Sequence, residues 1–139
     1  MLIIGCDYHP SGQQVFGIDT ESGEVFADRW IAHTGNELEE FYSGLPAGAV
    51  VGVECSGNML WFERRLAHYG HRLRLGDAAQ IRAKETRKQK HDRRDAELIA
   101  RLLREDHFPD LKWVPTNRWE VEPDLVSTDD SKQRRAAWA

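Results

Sequence analysis

The sequence predicts an α/β fold, in which a mixed sheet of about five strands has helices on its flanks. Three strand-like segments near the start are separated by turn-forming residues, which indicates an antiparallel meander. Beyond them, helical and strand-like segments alternate, and this order favours crossover connections between parallel strands. A sheet that begins antiparallel and continues parallel is a mixed sheet.

The meander consists of LIIGCDY, QQVFGID and EVFADRWI, with turns at HPSG and TESG. A short helix follows in GNELEEFYSGL, with Asn36 as its expected N-cap. The apolar run GAVVGVEC is typical of a strand that is covered on both faces.

The amphipathic segment NMLWFERRLAHYG predicts a helix that ends at Gly70, with Trp61, Phe62 and Leu66 on its core face. HRLRL is a short fifth strand, and one or two final helices follow in DAAQIRAKETRK and RKQKHDRRDAELIARLL. This order of three strands, helix, strand, helix, strand and helices is that of a ribonuclease H-like fold.

The composition is that of an ordinary soluble domain, with 139 residues, 40% of them hydrophobic and 30% charged. No apolar run approaches the roughly 20 residues that span a membrane, and no signal peptide is recognisable, so we expect a cytoplasmic protein without membrane contact. Regular patterning stops after Pro115. We therefore expect a domain over residues 1–115 and a tail, partly disordered, over 116–139.

Two cysteines, Cys6 and Cys55, form neither a disulfide framework nor a zinc-binding spacing. Each is a direct neighbour of an acidic residue, so the alternation of a strand turns it to the opposite face. We expect both to be small buried residues.

A basic segment extends from Arg64 to Arg104, where thirteen bases and five acids give a net charge of +8 in a chain of net charge −4. A solvated helix face would explain such a run, but a polyanionic partner is the functional alternative. The bases that we expect to contact nucleic acid are Arg82, Lys84, Arg87, Lys88, Lys90, Arg93 and Arg94.

The last helix carries two acids, Asp92 and Asp95, within its apolar stripe. One explanation is local, because an N-cap and a first-turn acid stabilise the start of a helix. The other is functional, because acids that face a core need a partner or a bound cation.

Two further acids, Asp7 and Glu54, stand at the ends of the first and fourth strands. In a ribonuclease H-like sheet these strands are neighbours and the last helix crosses them, so all four acids could converge. Clustered carboxylates repel each other, and Mg²⁺ or Mn²⁺ relieves that repulsion. Such ions promote phosphodiester chemistry.

Each acid also has a simpler explanation. Asp7 could be a turn residue before His9 and Pro10, whereas a strand-end acid at Glu54 is harder to explain structurally. His9 and His91 flank the expected site, where they could touch substrate or simply be surface histidines.

Several stretches together resemble the DEDD-type insertion-sequence transposases, whose N-terminal domain is like the RuvC resolvase. The resemblance covers about Leu2 to Pro115 and rests on GCDYHPSGQQV, VGVECSGNMLWFERRLAHYGH, GDAAQIRAKETRKQKHDRRDAELIARLL and FPDLKWVP. It implies that Asp7, Glu54, Asp92 and Asp95 are the catalytic, Mg²⁺-binding tetrad. It also implies that DNA, a structured guide RNA and a second copy of the chain are partners.

The sequence departs from the family in two places. His91 precedes the third acid, where the family usually has Thr, and ECSG stands where a Glu-Ala-Thr-Gly form is usual. Full members also continue into a helical region and a second domain with a serine nucleophile. We therefore expect incomplete recombination activity from this chain alone.

Three functions follow as alternatives. The first is a metal-dependent DNA strand cleavage and transfer domain, and the second is a non-catalytic DNA- or RNA-binding remnant that regulates a transposase. They differ in whether Asp7 and Glu54 matter for activity. The third, a fragment of a sugar-kinase or actin-like ATPase, is disfavoured because no second Gly-rich phosphate loop follows the meander.

Overall fold

A computed structural model describes residues 1–84 and 92–111 of the protein, with the backbone alone for residues 92–94. Its elements in chain order are β1 (Leu2–His9), β2 (Gly12–Asp19), β3 (Val25–Ala32), α1 (Glu37–Ser43), β4 (Val50–Glu54), α2 (Leu60–His68), β5 (Arg72–Gly76), α3 (Ala78–Ala83) and α4 (Asp92–Arg104).

The five strands form one mixed sheet in the order β3-β2-β1-β4-β5. β1, β2 and β3 pair antiparallel as a meander, whereas β4 pairs parallel with both β1 and β5. The predicted α/β fold with a ribonuclease H-like arrangement of strands and flanking helices is confirmed. Parallel neighbours require crossover connections, and α1 and α2 provide them.

Helices cover both faces of the sheet. On one face, α1 and α2 pack over a core that includes Ile4, Val51, Tyr42 and Phe62. On the other, α3 and α4 pack over a smaller core that contains Ile3. We call these the α1/α2 face and the α3/α4 face. Residues of a strand alternate between them.

Helix α4 lies unusually close to the central strand because Gly5 has no side chain. A β-carbon at position 5 would collide with the carbonyl oxygen of Ala96 and would lie 2.5 Å from the amide nitrogen of Ala100. Gly52 on β4 faces the same helix, since a β-carbon there would lie 2.8 Å from the side chain of Leu103. The two glycines show that α4 crosses β1 and β4.

The helix starts show where sequence signals held and where they did not. Asn36 occupies the N-cap position of α1, but its side chain makes no capping hydrogen bond, so the expected cap is wrong in its chemistry. Asp77 caps α3, because its side chain accepts a hydrogen bond from the backbone N–H of Gln80. Helix α2 ends at His68, two residues before Gly70, whose φ of 87° lies in the left-handed region.

Two predictions concern residues that the structure does not describe. The start of the last helix before Asp92 is one of them, because the segment 85–91 lies outside the described residues. The expected tail at 116–139 also lies outside the described residues, as do 112–115. Among the helices that are described, none has the length and apolar character needed to cross a membrane.

Candidate metal site at the carboxyl ends of two parallel strands

Asp7 and Glu54 lie next to each other at the carboxyl ends of neighbouring parallel strands. The residues just before them, Cys6 and Val53, are partners in the β1–β4 register. Asp7 also pairs with Gln14 on β2, so it is a strand residue and not a turn residue. The adjacency that the predicted topology required is therefore present.

Both carboxylates belong to the α3/α4 face. Gly5 and Gly52, each two residues earlier on its strand, face α4 directly. Because strand side chains alternate, Asp7 and Glu54 project to that same side. Their side chains remain accessible, with exposed fractions of 22% for Asp7 and 40% for Glu54.

The orientation of α4 brings its first turn to this end of the sheet. Ala96 and Ala100 lie over Gly5, whereas Leu103 borders a pocket beside Ile3, near the start of β1. The helix therefore runs antiparallel to β1, and its amino-terminal end points towards the strand ends. Asp95, which is half-buried, lies on that first turn.

Asp92 lies one helical turn before Asp95, further towards the strand ends. Its side chain is outside the described part of the chain. Of the predicted tetrad, the structure brings Asp7 and Glu54 side by side and directs the turn of Asp95 towards them. Among the described side chains of residues 1–84 and 95–111, no three metal-binding groups are close enough to hold an ion.

Each strand carboxylate has a basic neighbour. The Nε2 atom of His9 lies 3.4 Å from Oδ2 of Asp7, which confirms that His9 flanks the site. The Nη1 atom of Arg82 lies 3.9 Å from Oε2 of Glu54. All four side chains are at least partly exposed, so both contacts are weak and a competing cation can displace the two bases.

Only two of the seven bases predicted to bind nucleic acid have described side chains. Arg82 and Lys84 lie at the end of α3 and are exposed, and Arg82 is beside Glu54. The others lie outside the described side chains: Arg87, Lys88, Lys90, Arg93 and Arg94. His91, expected on the other flank of the site, is outside them as well.

A buried polar network on the α1/α2 face was not predicted from the sequence. Gln13 is fully buried, and its Oε1 accepts hydrogen bonds from Tyr42 Oη at 2.7 Å and Cys6 Sγ at 3.3 Å. Its Nε2 lies 3.0 Å from Nε2 of His33, while Nδ1 of His33 lies 3.1 Å from the carbonyl oxygen of Pro10. The only available signal was a glutamine at an inward position of a strand.

The network fixes the protonation of its members. A carbonyl only accepts, so His33 donates from Nδ1 to Pro10 and accepts from Gln13 at Nε2, which makes it neutral. Desolvation lowers the pKa of His33, in agreement with this arrangement. Burial raises the pKa values of Cys6 and Tyr42, so both remain protonated donors.

The expectations for nearby apolar residues hold in part. Cys6 is fully buried as predicted, but Cys55 is only half-buried because it follows the end of β4. Phe62 and Leu66 are fully buried in the core. Trp61 is half-buried at its edge, and its indole Nε1 donates to Tyr8 Oη at 3.1 Å.

The fold and the carboxylates thus define an α/β domain with a candidate cation site at the ends of its central strands. No protein-family model matches the chain, and a search of curated proteins returned no significant match.

Proposed function

We propose that this domain carries out metal-dependent cleavage or transfer of a nucleic-acid strand. The parallel pairing of β1 and β4, which sets Asp7 beside Glu54 at an accessible sheet edge, is the observation that supports it. The first turn of α4, which carries Asp92 and Asp95, approaches the same edge.

The donor set suits a hard divalent cation. Carboxylate oxygens are the ligands that Mg²⁺ and Mn²⁺ favour, and here two carboxylates stand on neighbouring strands, whose backbones are about 4.8 Å apart. Asp7 and Glu54 would hold the ion from the sheet, with Asp92 and Asp95 from α4. A bound divalent ion would supply charge stabilisation and activate a nucleophile for phosphodiester chemistry.

The flanking bases have a defined part in this function. Without an ion, His9 lies beside Asp7 and Arg82 lies beside Glu54. When a cation binds, both bases are freed to contact phosphate oxygens on either side of it. The basic segment that contains Arg82 and Lys84 would bind neighbouring phosphates of the nucleic-acid strand.

The sequence resemblance narrows this function to a transposase domain. DNA as substrate, a structured guide RNA and assembly as a homodimer are proposals that depend on the resemblance.

Thermal melting with millimolar Mg²⁺ or Mn²⁺ tests the ion site. We expect the ion to raise the melting temperature by several degrees in the wild type and not in Asp7→Asn, Glu54→Gln or Asp92→Asn. Asp28→Asn is the matched control, because Asp28 is an exposed carboxylate of the same sheet on β3, away from the β1–β4 edge. It should keep the full response.

Cleavage of branched DNA and of RNA, with the same variants, tests the chemistry. Loss of cleavage in Asp7→Asn and Glu54→Gln, but not in Asp28→Asn, would support the proposed function. Three results together would instead identify a binding module without catalysis. No variant would alter the ion response, no cleavage would occur, and nucleic-acid binding would depend on salt.

A further inference from the structure

A row of side chains extends from the candidate site across the meander. Asp7 on β1 pairs with Gln14 on β2, and Gln14 pairs with Trp30 on β3. Residues paired across strands project to the same face of a sheet. Trp30, Gln14 and Asp7 therefore form a line on the α3/α4 face, and Glu54 adjoins its end.

The indole of Trp30 is held in place in this row by contacts with its neighbours. Its indole lies over Gly12, where a β-carbon would collide with ring atom Cζ2 and would lie 2.7 Å from Cε2. Its ring centroid is 5.8 Å from that of His9, with the planes tilted by 39°. The glycine and the imidazole support one side of the indole, and the side chain is still 45% exposed.

His9 links Trp30 to the candidate site, because its Nε2 atom also lies 3.4 Å from Oδ2 of Asp7. Trp30 is two strands away from Asp7, which corresponds to roughly 10 Å. This distance is similar to the distance between a phosphate and a nearby base of the same strand. A phosphate held beside Asp7 and Glu54 by a bound cation would thus leave a nearby base within reach of the indole.

We propose that Trp30 stacks on a nucleobase of an unpaired strand that passes the strand ends at Asp7 and Glu54. This inference rests on the proposed function and specifies its substrate as single-stranded or locally unpaired nucleic acid. A base inside a duplex already stacks on both faces, so only an unpaired base can cover the indole.

The surroundings of Trp30 favour a base over a protein partner. Two of its neighbours on this face are polar: Gln14 donates from Nε2 to Oδ1 of Asp28 at 3.1 Å, and Asp28 is exposed. A protein interface has an apolar centre formed by several residues. One supported aromatic ring with a polar surround matches the stacking platforms that bind single strands.

The test compares binding of two single-stranded oligonucleotides of equal length, one with bases and one with abasic sites, in EDTA. We expect the wild-type chain to prefer the base-bearing strand by about tenfold. Trp30→Ala should abolish the preference, and Trp30→Phe should keep part of it. Val25→Ala, at another exposed apolar residue of β3, should leave it unchanged.

Equal binding of the two strands by the wild type, or an unchanged preference in Trp30→Ala, would overturn the inference. The inference would also fail if Trp30→Ala changed the sedimentation coefficient but not strand binding. That result would mean that the indole contacts another protein chain. The binding measurement needs no metal. If Asp7→Asn keeps the preference for the base-bearing strand, stacking on Trp30 does not depend on the cation site. Failure of the cleavage experiments would leave this result standing.

Discussion

Two consecutive glutamines on β2 show how differently the two faces of this sheet treat polar groups. Gln13 points into the α1/α2 face and is fully buried, whereas Gln14 lies on the α3/α4 face and is partly exposed. Gln13 exchanges hydrogen bonds with protein groups on all sides. Gln14 belongs to an open row that ends in two carboxylates.

The difference separates structural from functional polarity. Polar groups inside a core must be satisfied by the protein, since an unmet hydrogen bond there is costly. The network around Gln13 meets that requirement with neutral groups. The carboxylates at Asp7 and Glu54 lie instead at an accessible strand end, beside exposed basic side chains.

The largest effect should come from closing the space between α4 and β1. Gly5→Ala places a methyl group against the backbone of Ala96 and Ala100. Because backbone cannot move aside as a flexible side chain does, we expect a loss of at least about 3 kcal/mol in the free energy of unfolding. Urea denaturation measures it, and the metal response should disappear with the displaced helix.

Gly23→Ala is the control for this substitution. Gly23 has a φ of 79°, and no atom lies within 4 Å of the position that an added methyl group would take, so only backbone strain opposes the change. The expected cost is about 1 kcal/mol. Equal losses at positions 5 and 23 would show that the close approach of α4 does not limit stability.

A smaller loss should distinguish the two glutamines. Gln13→Ala leaves the buried hydroxyl of Tyr42 without its acceptor, and we expect a loss of about 2 kcal/mol in the free energy of unfolding. Gln14→Ala should change it by less than about 0.5 kcal/mol. Chemical denaturation of both variants under one condition makes the comparison.

Tyr42→Phe checks the cause. If the unpaired hydroxyl is responsible, the double variant of Gln13→Ala and Tyr42→Phe should lose less than the sum of the two single variants. Strict additivity would mean that the two side chains act independently.

The fold was predictable because its signals are local or periodic. Turn residues separate the three strands of the meander, and the apolar stripe of α4 is the one expected, with Ala96, Ile99 and Leu103 buried. Topology then made Asp7 and Glu54 neighbours, because β1 and β4 are adjacent in the predicted order. The acids could be paired from the sequence since strand ends align at one edge of a sheet.

The network and the indole row were not predictable in the same way. Gln13, His33 and Tyr42 are far apart in sequence, and their contacts depend on where α1 docks on the meander. Trp30 became notable only through the register that aligns it with Asp7. A one-residue change of register would have placed it on the other face. Pairwise register is a tertiary property that no single segment encodes.

The smallest expected effect is a pH dependence of stability that comes from His33 on the α1/α2 face. Desolvation lowers the pKa of folded His33 from the ordinary value of 6.5, so the unfolded chain binds a proton more readily. Its stabilising contribution is complete above the unfolded pKa and is lost as pH falls from there towards the folded pKa. A proton on Nε2 would also face the amide donor of Gln13.

His33→Gln tests this, because a glutamine can offer an acceptor near the Nε2 position but does not titrate. Between about pH 7.5 and about pH 5.5, the urea midpoint should fall further in the wild type than in the variant. The difference is small, since His33 is partly exposed and water screens its charge. If the urea midpoint changed equally with pH in the two proteins, the network around Gln13 would tolerate a charged imidazole. The α1/α2 face would then accommodate charge as readily as the α3/α4 face.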